Sequence, residues 1–261
     1  MLGAIAGDII GSVYEAHPIK TVDFPLFSAQ STFTDDTVLT IATALAIMTP
    51  MAYSAAYRTM ARAHPLRGYG SSFRRWFQAD TAPPYHSFGN GSAMRVSPVG
   101  WAFDNEAKVL HEACNSAAVT HDHPEGIRGA QATALSIFLA RQGSSKTAIR
   151  STIQSHFGYD LRRTVATIRS DYSFRISCQE TVPEALICFL ESNDYESTVR
   201  NAVSLGGDSD TLACIAGGIA EAFYGPLPDS IRRETDRRLP DAFKEVISAF
   251  NRKYIMPHSP S

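Results

Sequence analysis

Apolar residues recur at helical spacing along most of this chain, and polar breaks divide the pattern into segments. The chain opens with an apolar helix that ends at Glu15, in which Gly3, Gly7 and Gly11 follow one another at every fourth position. Such a stripe is smooth enough for a second helix to approach its backbone closely, and Asp8, Ser12 and Glu15 form a polar face beside it. Residues 38–48 are apolar nearly all round, as a helix at the centre of a domain is, and Pro50 ends them. Further helices are predicted over 51–63, 71–79, 106–118, 125–141, 146–156, 182–192, 195–205, 212–224 and, as helical pieces, 231–250. The pattern is weak over 162–177, where short β-like pieces fit, and residues 256–261 are expected to fray. The segment 18–32 has no period and either crosses a site or connects. Strands do not alternate with helices and no linker or repeat interrupts the chain, so residues 1–261 are expected to form one compact all-α domain.

Composition narrows the function classes. The 261 residues are 44% hydrophobic, enough for a proper core, and 24 basic against 26 acidic side chains give a net charge of −2. Nothing there marks a nucleic-acid surface, and no apolar run reaches the ~20 residues that a membrane span needs. The apolar N-terminus lacks a basic leader and carries Asp8, so it reads as a core helix and not as a signal. Cys114, Cys178, Cys188 and Cys214 have no metal-type spacing and read as reduced thiols, which points to a cytoplasmic protein; a monomer is expected.

The chemistry concentrates at two helix starts. Gly206 and Gly207 precede Asp208-Ser209-Asp210-Thr211, and Phe33-Thr34-Asp35-Asp36-Thr37 heads the apolar helix after it. Two carboxylates and a hydroxyl beside a sharp turn suit a hard cation such as Mg²⁺ or Mn²⁺. The same residue types are also ordinary helix caps, so either cluster alone leaves capping and metal binding open. Two clusters in like settings, each with aspartates that repel one another, suggest one shared site. The glycine-rich stretch Ser87-Phe88-Gly89-Asn90-Gly91-Ser92 can cradle phosphate or simply turn. His121 and His123 are more readily hydrogen-bonding loop residues than ligands.

Taken in order, Gly7-Asp8-Ile9-Ile10-Gly11-Ser12-Val13-Tyr14-Glu15, Phe33 to Thr37, Gly89 to Arg95, Thr120-His121 and Gly206 to Thr211 resemble the successive motifs of the ADP-ribosylglycohydrolase family, from residue 3 to about 225. The resemblance implies an all-α domain with two Mg²⁺ or Mn²⁺ ions at its centre. It implies Thr34, Asp35, Asp36, Asp208, Asp210 and Thr211 as metal ligands and Glu15 as the catalytic carboxylate. Ser87, Phe88, Gly89, Asn90, Gly91, Ser92, His121, Gly206 and Ser209 would hold ADP-ribose. Asp8 is expected to make a structural hydrogen bond, and Arg95 to anchor a loop or a carboxylate and not phosphate. The implied reaction frees ADP-ribose from a modified acceptor, with arginine on protein as the first reading. Serine, a nucleic-acid base or a small adduct would place the same ADP-ribose over the same residues. A two-metal phosphohydrolase and a non-catalytic ADP-ribose-binding module are the competing classes; all four aspartates being present favours the enzyme.

Overall fold

The computed structural model describes residues 1–255, so the fraying expected over 256–261 lies outside the described residues. In chain order the helices are α1 (Leu2–Ala16), α2 (Asp35–Met48), α3 (Tyr53–Ala63), α4 (Ser71–Gln78), α5 (Gly91–Met94), α6 (Ser97–Ala102), α7 (Glu106–Ala118) and α8 (Pro124–Arg141). There follow α9 (Lys146–Phe157), α10 (Val165–Asp171), α11 (Cys178–Leu190), α12 (Tyr195–Val203), α13 (Ser209–Tyr224), α14 (Asp229–Arg237) and α15 (Asp241–Tyr254). The all-α expectation holds. Among the described residues the only β pairing is an isolated antiparallel bridge between Gly89 and Ser177.

The glycine stripe decides how the centre is built. A Cβ on Gly7 would lie 2.1 Å from the Ala213 carbonyl oxygen, one on Gly11 2.4 Å from that of Ser209, and one on Gly3 2.5 Å from that of Gly217. The α1 and α13 backbones therefore meet with no side chain between them. Ala6 and Ile10 of α1 face one apolar cluster with α8, α11 and α12, whereas Ile5 and Ile9 face a second with α2, α3, α4 and α15. Residues Ser209 to Ala222 of α13 are all buried, which makes α13 the central helix; α2 is buried from Asp36 to Ala44.

Three expectations change in detail. The weak stretch 162–177 holds α10, because Thr164 caps it by accepting from the Thr167 amide and Val165 and Ile168 are buried. The final helical pieces reach past the expected 231–250, α14 starting at Asp229 and α15 ending at Tyr254, with Pro240 dividing them because it cannot continue α14. α11 begins four residues before the expected start and carries Pro183 inside it.

Candidate active site

α1, α2 and α13 converge at their ends on a cavity of about 400 Å³. Glu15 closes α1; Thr34, Asp35 and Asp36 open α2; Asp208, Asp210 and Thr211 open α13, and all seven line that cavity. The packing explains the meeting. Gly11 presses on the Ser209–Asp210 backbone, and Glu15 lies one helical turn further on. Carboxylate oxygens of Glu15, Asp208 and Asp210 fall within 4.8 Å of one another. The second cluster joins the first through the Thr211 hydroxyl, which donates to Asp36 Oδ1 at 3.5 Å.

The capping alternative divides between the two helices. Thr34 does cap α2, its Oγ1 accepting from the Asp36 amide at 3.3 Å. Asp208 stands at the cap position of α13 but its side chain accepts no helix amide; it accepts instead from Asn90 Nδ2 at 2.8 Å. Asp36 Oδ2 is buried with no hydrogen-bond partner among the described residues. An orphaned buried carboxylate oxygen is costly, and a cation is the partner that would satisfy it.

Asp8 lies behind this wall, fully buried, and holds the start of α2 as a four-fold acceptor. Oδ2 takes the amides of Thr34 and Thr37, each at 3.0 Å, and the Thr37 hydroxyl; Oδ1 takes the Thr34 hydroxyl at 2.8 Å. Even so, burial outweighs these bonds and raises its pKa to about 6. Burial first, and then neighbouring carboxylates, push Asp35, Asp36 and Asp210 well above the usual carboxylate range, and Glu15 is raised by burial, Asp208 and Asp8. Five repelling acids around one cavity favour either protons or a bound cation.

The glycine-rich stretch forms the facing wall. Ser87, Gly89, Asn90, Gly91 and His121 line the cavity, and the Gly89–Ser177 bridge fixes the turn against the start of α11. Four residues expected to hold ADP-ribose lie elsewhere. The Ser92 hydroxyl points away, donating to the Gly126 carbonyl at 2.6 Å, and Phe88 is half exposed, edge-on to His123. Gly206, at φ +66°, packs against the Ile19 carbonyl, and Ser209 donates to the Gly207 carbonyl. Arg95 also lines the cavity and donates to the Ser116 carbonyl and to Thr120; among the described residues no carboxylate meets it. His123 caps α8 by accepting from the Glu125 amide.

Sequence reasoning missed part of the lining. Gly68 and Gly70 come from the α3–α4 connection, Ser71 and Phe73 from the start of α4, Tyr85 from just before the glycine-rich stretch, and Phe174 and Ile176 from the weakly patterned stretch 162–177. Phe174 and Ile176, about half exposed, were the findable ones, because a large apolar side chain without a helical pattern has no core to enter. The segment 18–32 supplies none of the lining residues. It is tied down by Lys20 Nζ, which donates to the Tyr172 and Leu205 carbonyls at 2.5 Å each.

Comparison with known proteins agrees with this architecture. A family model described as ADP-ribosylglycohydrolase matches residues 1–257. The chain is 28% identical to human ADP-ribosylhydrolase ARH3 over 88% of this chain and 86% of that protein, and 27% identical to the mouse protein of the same name over 88% and 84%. An ADP-ribosylarginine hydrolase, Tri1, of Pseudomonas putida is 26% identical over 52% of this chain and 38% of its own length. A solved structure titled ADP-ribosylglycohydrolase-related protein complex superposes with a TM-score of 0.72 at 24% identity, covering 97% of this chain and 95% of its own, and so shares the fold. With the family model spanning every element that builds the cavity, the chain belongs to the ADP-ribosylglycohydrolase family, as an enzyme of that hydrolase class.

Proposed function

We propose that this enzyme hydrolyses the bond between the anomeric carbon of ADP-ribose and a modified acceptor, with arginine on protein as the first acceptor to test. The observation that carries the reading is the convergence of both aspartate pairs and Glu15 on one wall of a cavity whose other wall is the Gly89–Gly91 turn with His121. Asp35, Asp36, Asp208 and Asp210, with Thr34 and Thr211, would hold two Mg²⁺ or Mn²⁺ ions, and the orphaned Asp36 Oδ2 supports that assignment. Bound there, such ions supply fixed positive charge that orients the ribose hydroxyls and a water. The turn amides and His121 would take the diphosphate. Cleavage breaks the bond between the anomeric carbon and the acceptor; the acceptor leaves with the electron pair, water gives its hydroxyl to carbon, and a proton reaches the acceptor. Glu15 would take the proton from water or give it to the leaving atom.

The acceptor end would face the lining not assigned to the diphosphate, namely Glu15, Gly68, Gly70 and the start of α4, with the half-exposed Phe174 and Ile176. Support for arginine comes from the name of the Pseudomonas putida relative, which matches half of this chain. Four cysteines, none of them paired, support the reading of a reducing, cytoplasmic compartment. The deciding experiment is an ADP-ribose release assay on arginine-, serine- and base-linked substrates, with Mg²⁺ and with chelator. Release that needs Mg²⁺ is expected, and the acceptor that yields it names the substrate class. If no acceptor yields ADP-ribose while free ADP-ribose still binds, the protein is a binding module.

A further inference from the structure

Three buried side chains from two segments form a line that ends in the cavity. Arg95, fully buried at the end of α5, lays its guanidinium over the Tyr57 ring, Cζ 4.2 Å from the centroid. Its Nη2 donates to the Ser116 carbonyl at 2.8 Å and to Thr120 Oγ1 at 2.9 Å. Thr120 Oγ1 lies 2.7 Å from His121 Nδ1. Arginine only donates, so it occupies a lone pair of the threonine oxygen. The hydroxyl hydrogen must then go to Nδ1, the other hydrogen-bonded partner of that oxygen.

We propose that Arg95 and Thr120 are positioning residues that fix His121 as the neutral tautomer with its proton on Nε2. Were the proton on Nδ1, Thr120 Oγ1 would receive two donors, and neither of its hydrogen-bonded partners could take its own hydrogen. The other ring nitrogen is on the cavity side. A Cβ built on Gly91 would come 3.1 Å from Nε2 and one on Gly89 3.6 Å, so Nε2 shares a wall with the turn amides. Burial and the nearby Arg95 charge also hold the ring neutral, its pKa well below the ordinary histidine value. The result is a fixed, uncharged N–H donor beside backbone donors, which binds an anionic oxygen without exchanging a proton with it. This deepens the proposal that the wall takes the diphosphate of ADP-ribose and rests on it.

Long-range proton–nitrogen correlation spectra of the nitrogen-labelled full chain, with the His121 signals assigned by their loss in His121→Gln, test the assignment. Wild type should show Nδ1 bare and Nε2 protonated, with no second tautomer. Thr120→Val should admit the second tautomer and weaken ADP-ribose binding about tenfold, while Thr120→Ser restores both. His121→Gln, which keeps an N–H near the Nε2 position, should bind better than His121→Ala. A wild-type ring protonated on Nδ1, or a Thr120→Val spectrum and affinity identical to wild type, overturns the proposal. If Thr120→Val fails to fold, the wild-type and Thr120→Ser spectra still decide the tautomer. A correct tautomer with ADP-ribose affinity indifferent to His121→Ala overturns instead the diphosphate reading.

Discussion

Glu15 differs from the other acids of the cavity in being exposed, yet its carboxylate comes within 4.8 Å of those of Asp208 and Asp210. That distance suits a proton carrier beside the ions and a direct ligand equally well, and Glu15→Gln separates the two. Loss of proton chemistry should lower turnover by ~10²-fold or more with ADP-ribose affinity nearly unchanged. A ligand role would lower metal affinity, and added Mg²⁺ would restore part of the rate. Full turnover at ordinary Mg²⁺ would remove Glu15 from the mechanism. At this scale the two acidic clusters were legible because the same pairing of aspartates with a threonine hydroxyl heads two apolar helices, where neighbouring carboxylates repel one another. Their coordination partners were not: Asn90 reaches Asp208 across 118 positions of sequence, and no local pattern carries such a pairing. Ser92 and Ser209 show the converse, since the right residue type in the right stretch still turned into the core, where a carbonyl accepts its hydroxyl.

Among the elements, α1 and α13 fix the site. The stripe of Gly3, Gly7 and Gly11 could be read from spacing alone, but not the helix that uses it; the small residues of α13 became its partner only in the fold. A methyl group at Gly7 would meet the Ala213 carbonyl oxygen at 2.1 Å, and backbone on both sides leaves no side chain to swing away. Gly7→Ala should therefore force α1 outward, costing about 1–3 kcal/mol in urea unfolding. Because the same shift carries Glu15 away from Asp208 and Asp210, turnover of the folded variant should fall as well. Gly70→Ala, where an added Cβ meets nothing within 4 Å, is the stability control and should change unfolding by less than about 0.5 kcal/mol. Equal stability of the two variants would mean that α1 tolerates displacement and does not set the site. The short α10 and the cavity-lining Phe174 and Ile176 escaped the pattern for a related reason: a seven-residue helix gives two turns of period, and the loop after it takes its place from the Gly89–Ser177 pairing, 88 residues apart in sequence.

For the whole molecule, the acids of the cavity link stability to pH and, through the proposed two-ion centre, to metal. Asp8 has its pKa raised from 3.8 to about 6 by burial, and burial with neighbouring carboxylates holds Asp35, Asp36 and Asp210 well above the usual carboxylate range. A raised carboxyl pKa means that the fold holds protons the unfolded chain has released. The stability from these groups is thus full below about pH 4 and is lost as pH climbs through 6 and beyond. His121 works the other way, its lowered pKa costing stability as pH falls below its ordinary 6.5, so a single melting curve against pH mixes both signs. The difference between melting temperatures with Mg²⁺ and with chelator isolates the acids, because only the cation competes with their protons. That difference should be near zero at pH 4 and grow as the pH passes 6. At Mg²⁺ one hundred times its Kd the added stability is about 2.7 kcal/mol, or roughly 5–10 °C for a chain of this length. Asp208→Ala and Asp210→Ala should flatten the difference at every pH while each variant melts cooperatively in chelator. A Mg²⁺ effect that is constant from pH 4 to 8, or that survives both substitutions, would show that these carboxylates do not hold the ions.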